Sequence, residues 1–111
     1  MSRLITVAAA QLGPIEREES KTSVVKRMLD MMRHAHSRGA RLVVYPEMAL
    51  TTFFPRWYIE DEAELDKFYE TSMPSNETQP LFDLSKELGV GFYLGYSELF
   101  VDDTGKKRRF N

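Results

Sequence analysis

Between Arg41 and Trp57 the chain reads Arg-Leu-Val-Val-Tyr-Pro-Glu-Met-Ala-Leu-Thr-Thr-Phe-Phe-Pro-Arg-Trp. No other stretch restricts the possible folds as much. Leu42 to Tyr45 is a short, uninterrupted apolar run of the kind found in a strand buried on both faces. Pro46 has no amide hydrogen to donate and so ends the ladder. Glu47 follows at once, an acid placed where a buried strand empties into a loop. The loop itself carries Phe53, Phe54, Pro55, Arg56 and Trp57, unusually aromatic for a connection. Open α/β sheets bind ligands at the carboxyl ends of their strands, which makes Glu47 the first residue to weigh for chemistry.

The surrounding chain supplies what such a strand needs. Leu4 to Gln11 is apolar with small residues and closes on Gly13-Pro14, which predicts a buried first strand. A helix is expected from about Ser20 to Arg38. Glu16, Glu18 and Glu19 stand before its positive end, and His34, His36 and Arg38 stand at its negative end. Val24, Val25, Met28, Leu29, Met32 and Ala35 form one apolar stripe, with Lys21, Arg27, Asp30 and His34 facing away. Gly39 stops the helix, so the first units read β-α-β with parallel strands and a right-handed crossover. The acids Glu60, Asp61, Glu62 and Glu64 then open a second helix carrying Leu65, Phe68 and Tyr69. A third helix spans about Gln79 to Leu88, with Leu81, Phe82, Leu84 and Leu88 toward the core and Gly89 at its end. Gly91 to Phe100 reads as a third strand. Asp102-Asp103-Thr104-Gly105 is a hairpin turn leading through Lys106 to Arg109 into a fourth. The expected class is α/β, with residues 1–111 forming a single domain portion.

Several functional classes lose support at this level. A formal net charge of −2 gives no sign of a nucleic-acid or membrane partner. The absence of cysteine removes disulfides, thiolate metal sites and a cysteine nucleophile from these residues. The apolar N-terminal stretch is too short to span a bilayer and lacks a signal-peptide cleavage region, so a cytoplasmic location is the expectation. Gly89-Val90-Gly91 with Gly95 follows a helix instead of a strand, the wrong order for a dinucleotide cradle. His34 and His36 are two apart on a helix and do not face each other as metal ligands would. The basic run Lys106-Lys107-Arg108-Arg109 is split between two faces by strand alternation, which suits a solvated edge strand. Asn76-Glu77-Thr78 matches a glycosylation acceptor by chance, and no serine sits in a Gly-x-Ser-x-Gly elbow.

The remaining candidates each keep two readings. Glu47 is either a general base, with desolvation favouring its neutral form, or a solvated loop acid. Phe53, Phe54 and Trp57 either wall an apolar pocket or subunit interface, or simply pack in the core. Arg56 either holds a carboxylate or sits free at the surface. Residue by residue, the chain offers one candidate base and no nucleophile.

Tyr45-Pro46-Glu47 resembles the Pro-Glu strand end of the nitrilase superfamily of carbon–nitrogen hydrolases. Val7-Ala8-Ala9-Ala10-Gln11-Leu12-Gly13-Pro14 resembles that family's first strand, and Ser37-Arg38-Gly39-Ala40 its approach to the Pro-Glu strand. Within the superfamily, Ala49-Leu50-Thr51-Thr52-Phe53-Phe54-Pro55-Arg56-Trp57 and Asp61-Glu62-Ala63-Glu64-Leu65-Asp66 look like the N-carbamoyl-D-amino acid amidohydrolases. Gly95-Tyr96-Ser97-Glu98-Leu99 and Lys107-Arg108-Arg109-Phe110-Asn111 fit the same branch.

The resemblance implies an α-β-β-α sandwich, incomplete over these residues, whose subunits associate as dimers or tetramers. It implies a Glu-Lys-Cys triad in which Glu47 is the base, with Phe53 and Phe54 as pocket wall. The substrate would be a small N-carbamoyl amino acid, with no metal and no cofactor. The family's lysine and cysteine lie C-terminal to the equivalent of Asn111, and none of Lys86, Lys106 or Lys107 stands in the lysine motif. A base without its thiol has nothing to activate, so these 111 residues by themselves are expected to turn over no substrate. Two other expectations stand beside this one: an inactive truncated form acting as an association module, and a different amidase or nitrilase branch.

Overall fold

The computed structural model describes residues 2–111. Its elements are β1 (Val7–Ala9), α1 (Lys21–Ser37), β2 (Leu42–Val44), α2 (Glu62–Asp66), α3 (Gln79–Leu88), β3 (Gly91–Tyr93), β4 (Glu98–Val101) and β5 (Lys107–Phe110), with a 3-10 turn at Phe54–Arg56 between β2 and α2. β1, β2 and β3 form a parallel sheet in that order, with Ala8, Val43 and Phe92 in register. β4 and β5 form a separate antiparallel hairpin in which Glu98 faces Phe110 and Leu99 faces Arg109.

The expected β-α-β unit is present, and its physical causes are visible. Ser20 caps α1 by accepting the Ser23 amide hydrogen at 3.1 Å. At the other end Gly39, at φ +88°, donates to His36 O at 2.9 Å while Ala40 donates back to Ala35 O at 3.0 Å. The apolar stripe faces the core, with Val24, Met28 and Met32 fully buried and Leu29 partly so. It packs with Leu81 and Leu84 of α3 on one face of the sheet, against Ala10, Val43 and Tyr45. The Tyr45 hydroxyl crosses this layer and donates to Met28 O at 2.7 Å, and burial pushes its phenol well above the usual range.

Four expectations need correction. β1 and β2 are covered on one face only. Val7 of β1 is 50% exposed, Tyr93 on the neighbouring β3 is 63% exposed, and Leu42 and Val44 of β2 are only half-buried, because both helices lie on the side of Val43 and Tyr45. Gly91 to Phe100 is two strands, not one: the chain leaves the parallel sheet after Tyr93 and joins the hairpin at Glu98. The second helix is only Glu62–Asp66, with Asp61 Oδ1 accepting from the Ala63 amide at 3.0 Å. Phe68 and Tyr69 fall beyond it, in turns that let them pack on Phe54. Arg27 does not face away. Its guanidinium donates to Leu12 O at 2.7 Å and Pro14 O at 3.1 Å, and pairs with Glu19 at 2.9 Å, tying the loop after β1 to α1.

The basic strand is likewise more than a solvated edge. Alternation does separate Arg108 from Lys107 and Arg109, but those two pair with α2. Lys107 Nζ lies 2.7 Å from Asp66 and 3.3 Å from Glu62, while Arg109 Nη2 lies 2.6 Å and 3.2 Å from the same carboxylates. A second tie joins the hairpin to the rest. Glu70 makes a parallel bridge to Glu98, its amide donating to Ser97 O and its carbonyl accepting from Leu99, both at 2.8 Å. The buried Glu70 carboxylate pairs with Lys21 of α1 at 2.8 Å, so Lys21, like Arg27, does not face away.

Candidate active site

The end of β2 delivers Glu47. The ladder runs on past Val44, since the Tyr45 amide donates to Tyr93 O at 3.0 Å, and Pro46 then has nothing to donate. Glu47 turns out of the sheet. The next residue, Met48, takes φ +48°, a left-handed conformation that is unusual for a long side chain and costs free energy unless its surroundings enforce it. They do so on both sides. Ala49 and Leu50 are buried, and the Ala49 amide donates to Gly95 O at 3.0 Å. The Gly95 backbone lies so close that a Cβ there would stand 3.2 Å from Glu47 Cα and 3.4 Å from Pro46 O.

Glu47 is exposed and borders a hollow of about 270 Å³ whose lining includes Pro14, Ile15, Met48, Phe53 and Arg56. Larger hollows lie elsewhere. One of about 490 Å³ is walled by charged residues around the start of α1, and one of about 620 Å³ runs along β1 and α1. Neither contains Glu47. Residues 2–111 therefore position a carboxylate at a hollow without enclosing it.

The two phenylalanines separate. Phe53 is half exposed on the wall of the Glu47 hollow. Phe54 is 3% exposed and turns away, stacked on Phe68 at 4.9 Å with Tyr69 edge-on at 5.3 Å, and it does not line that hollow. Trp57 holds the guanidinium of Arg17 at 4.9 Å and that of Arg56 at 5.6 Å over its ring. The cluster is thus a partly open aromatic rim with one member buried as its anchor. Lys107 is taken up by Asp66 and Glu62, and Lys86 lies exposed on α3. Among the described residues no three carboxylate or histidine side chains converge to hold a metal ion.

One residue at Glu47 was not singled out for a role from sequence. Asn111 Nδ2 donates to Glu47 Oε1 at 2.5 Å. A signal for it exists in the hairpin register. With Phe110 opposite Glu98, the next residue falls beside Ser97, two positions from the glycine packed on the Glu47 backbone.

The family pattern of the carbon-nitrogen hydrolases matches residues 6–111. The chain belongs to that family. A nitrilase from Meyerozyma guilliermondii is 26% identical over 129 aligned positions, which cover 99% of this chain and 40% of that relative. The chain therefore spans less than half the length of that curated relative. In this carbon-nitrogen hydrolase chain the matched span takes in every element from β1 to β5. It includes both the sheet that delivers Glu47 and the hairpin that delivers Asn111. Among the described residues no helix is long and apolar enough to cross a membrane.

Proposed function

We propose that Glu47 is the general base of a hydrolase of non-peptide carbon–nitrogen bonds whose substrates are N-carbamoyl-D-amino acids. The observation that carries this reading is the delivery of Glu47. A parallel strand ends at a proline, and the acid after it stands at the strand's carboxyl end, on a hollow rimmed by Phe53 and Arg56, in a chain of the carbon-nitrogen hydrolase family. The carbamoylase assignment rests on the likeness of the Thr51-Thr52-Phe53-Phe54-Pro55-Arg56-Trp57 loop to that branch.

In the proposed reaction Glu47 takes the proton from a cysteine thiol, and the thiolate attacks the carbamoyl carbon. A lysine ammonium stabilises the oxyanion as the tetrahedral centre forms. Collapse breaks the carbon–nitrogen bond and releases the D-amino acid, which leaves with a proton. Glu47 then takes a proton from water as it attacks the carbamoyl thioester. The thiol is restored, and the carbamic acid formed breaks down to carbon dioxide and ammonia. The sequence has no cysteine, so these 111 residues alone carry out neither half-reaction. A second sheet laid on the open face of β1–β3 would complete an α-β-β-α sandwich and shelter the Glu47 hollow, and pairing of such subunits gives the proposed dimer or tetramer.

The nitrilase relative favours one other reading, a nitrile or simple amide as substrate. Both are tested by ammonia release from N-carbamoyl-D-, N-carbamoyl-L-, amide and nitrile compounds. The enzyme assayed is one in which this chain continues into a segment bearing the lysine and cysteine. Preference for the N-carbamoyl-D compounds is the expected result, with Glu47→Gln slowing turnover by roughly a hundredfold or more. Turnover confined to nitriles or amides establishes the other branch. Full activity of Glu47→Gln removes the base assignment, and ammonia release by the 111-residue chain alone contradicts the need for the thiol.

A further inference from the structure

We infer that Asn111 is a positioning residue for Glu47: its side-chain amide holds one carboxylate oxygen so that the other is presented to the proton being moved. The inference rests on the reading of Glu47 as the base and adds the group that aims it.

Glu47 is exposed on a turn, and a carboxylate on two freely rotating methylenes samples several rotamers. A base in proton transfer must instead place one oxygen within hydrogen-bond reach of its proton. Among the described residues the only side-chain donor that reaches Glu47 is Asn111, with Nδ2 at 2.5 Å from Oε1. Hydrogen bonds to a carboxylate are stronger than those between neutral groups. This one occupies Oε1 and leaves Oε2 without a hydrogen-bond partner among the described residues. The donor type also suits the task. A primary amide has N–H groups to give and is neutral, so it orients the carboxylate without competing for the proton.

Asn111 is itself held. It follows β5 directly, and β5 is fixed on both sides: to β4 by the hairpin ladder, and to α2 by the ion pairs of Lys107 and Arg109 with Asp66 and Glu62. The segment leading into β4 carries Gly95, which packs against the Glu47 backbone. One piece of chain, from Gly95 through the hairpin to Asn111, thus grips Glu47 at its Cα and at its carboxylate.

The test has a structural arm and a kinetic arm, both on the enzyme containing the lysine and cysteine segment. Crystal structures of wild type and Asn111→Ala are compared first. Glu47 is expected in one rotamer in wild type and spread over several in the variant, and an unmoved carboxylate in Asn111→Ala overturns the inference whether or not turnover is seen. In the kinetic arm, Asn111→Ala is expected to lower kcat about tenfold or more with KM nearly unchanged, and Asn111→Gln to recover most of the loss. In a Glu47→Gln background, Asn111→Ala should cost nothing further, since the two act as one unit. An additive loss, a change in KM alone, or equal loss in the Ala and Gln variants overturns it. Absence of turnover in wild type on every substrate is instead a failure of the proposed function, and the structural arm then decides the role of Asn111.

Discussion

At position 95 the space for a side chain is missing on the side that matters. A Cβ there would meet Glu47 Cα at 3.2 Å, Pro46 O at 3.4 Å and Met48 N at 3.5 Å. All three are backbone atoms, which cannot rotate aside as a side chain would. The neighbouring Met48 already sits at φ +48°, so the turn has little freedom left to absorb a push. Gly95→Ala is therefore expected to destabilise the chain by about 1–3 kcal/mol, the usual cost of overpacking. Urea denaturation of the two proteins measures this, and equal midpoints would show that the contact yields freely. In the sequence Gly95 stands out as part of a dinucleotide motif that fails on order and within a segment that resembles the carbamoylase branch, and neither reading says what the glycine is for. Its use is the close approach of two loops, a long-range fact that local spacing does not encode. Glu47 itself was legible, because a strand run, a proline and an acid are consecutive. Phe54 was half legible. The sequence marks an aromatic loop, but that Phe54 turns onto Phe68 while Phe53 stays on the hollow depends on the short α2 that follows.

Five-residue helices do not hold themselves in place, and α2 is held by charge. Lys107 and Arg109 on one face of β5 meet Asp66 and Glu62 on α2, and the two sides agree in direction. The hydrogen bonds from Lys107 and then Arg109 pull the Asp66 carboxyl below its ordinary value, and those from Arg109 and then Lys107 do the same for Glu62. Both cations are held above theirs, first by Asp66. A carboxyl that binds its proton more weakly folded than unfolded adds stability above its unfolded pKa, and that stability disappears as pH falls through the folded value. The clamp should thus be intact at neutral pH and weaken below about pH 4, the ordinary carboxylate range. A thermal-melting series from neutral to acid is expected to fall more steeply for wild type than for Asp66→Asn, since the variant has already lost one titrating partner. Parallel curves would mean the pairs are too solvated to matter, as many surface pairs are. The basic run was read from sequence as a solvated edge because alternation sets only which charges share a face. What that face meets is a helix forty residues back, and no local pattern reports it. Elements bounded by their own chemistry were the legible ones: α1 between Ser20 and Gly39, α3 ending at Gly89, and the hairpin turn at Asp102–Gly105.

Over the whole molecule, the sequence is more apolar than the surface it must show. Leu42 to Tyr45 suits a strand buried on both faces, yet the helices cover one face, and Val7 and Tyr93 lie open on the other. The hairpin adds Phe100, Val101 and Phe110, each about half exposed. An apolar run in a strand specifies that both faces be covered without saying by what, which is why the sequence pattern overstated the burial these residues achieve. Exposed apolar side chains of this number favour association in water, and β1 also leaves one ladder edge unpaired. The 111-residue chain is therefore expected to self-associate, with sedimentation velocity showing a monomer at low concentration giving way to larger species on the order of 100 µM. Tyr93→Lys puts a charge on the open face, on the edge strand β3 beside Val44 of the central strand. Tyr93 is 63% exposed and the helix-side core does not use its ring, so the substitution should shift the balance to monomer while leaving the denaturation midpoint nearly unchanged. A chain that stays monomeric at high concentration would show that the open face is not adhesive. Association undiminished in Tyr93→Lys, but lost on charging Phe100 or Phe110, would place the contact on the hairpin instead of the sheet.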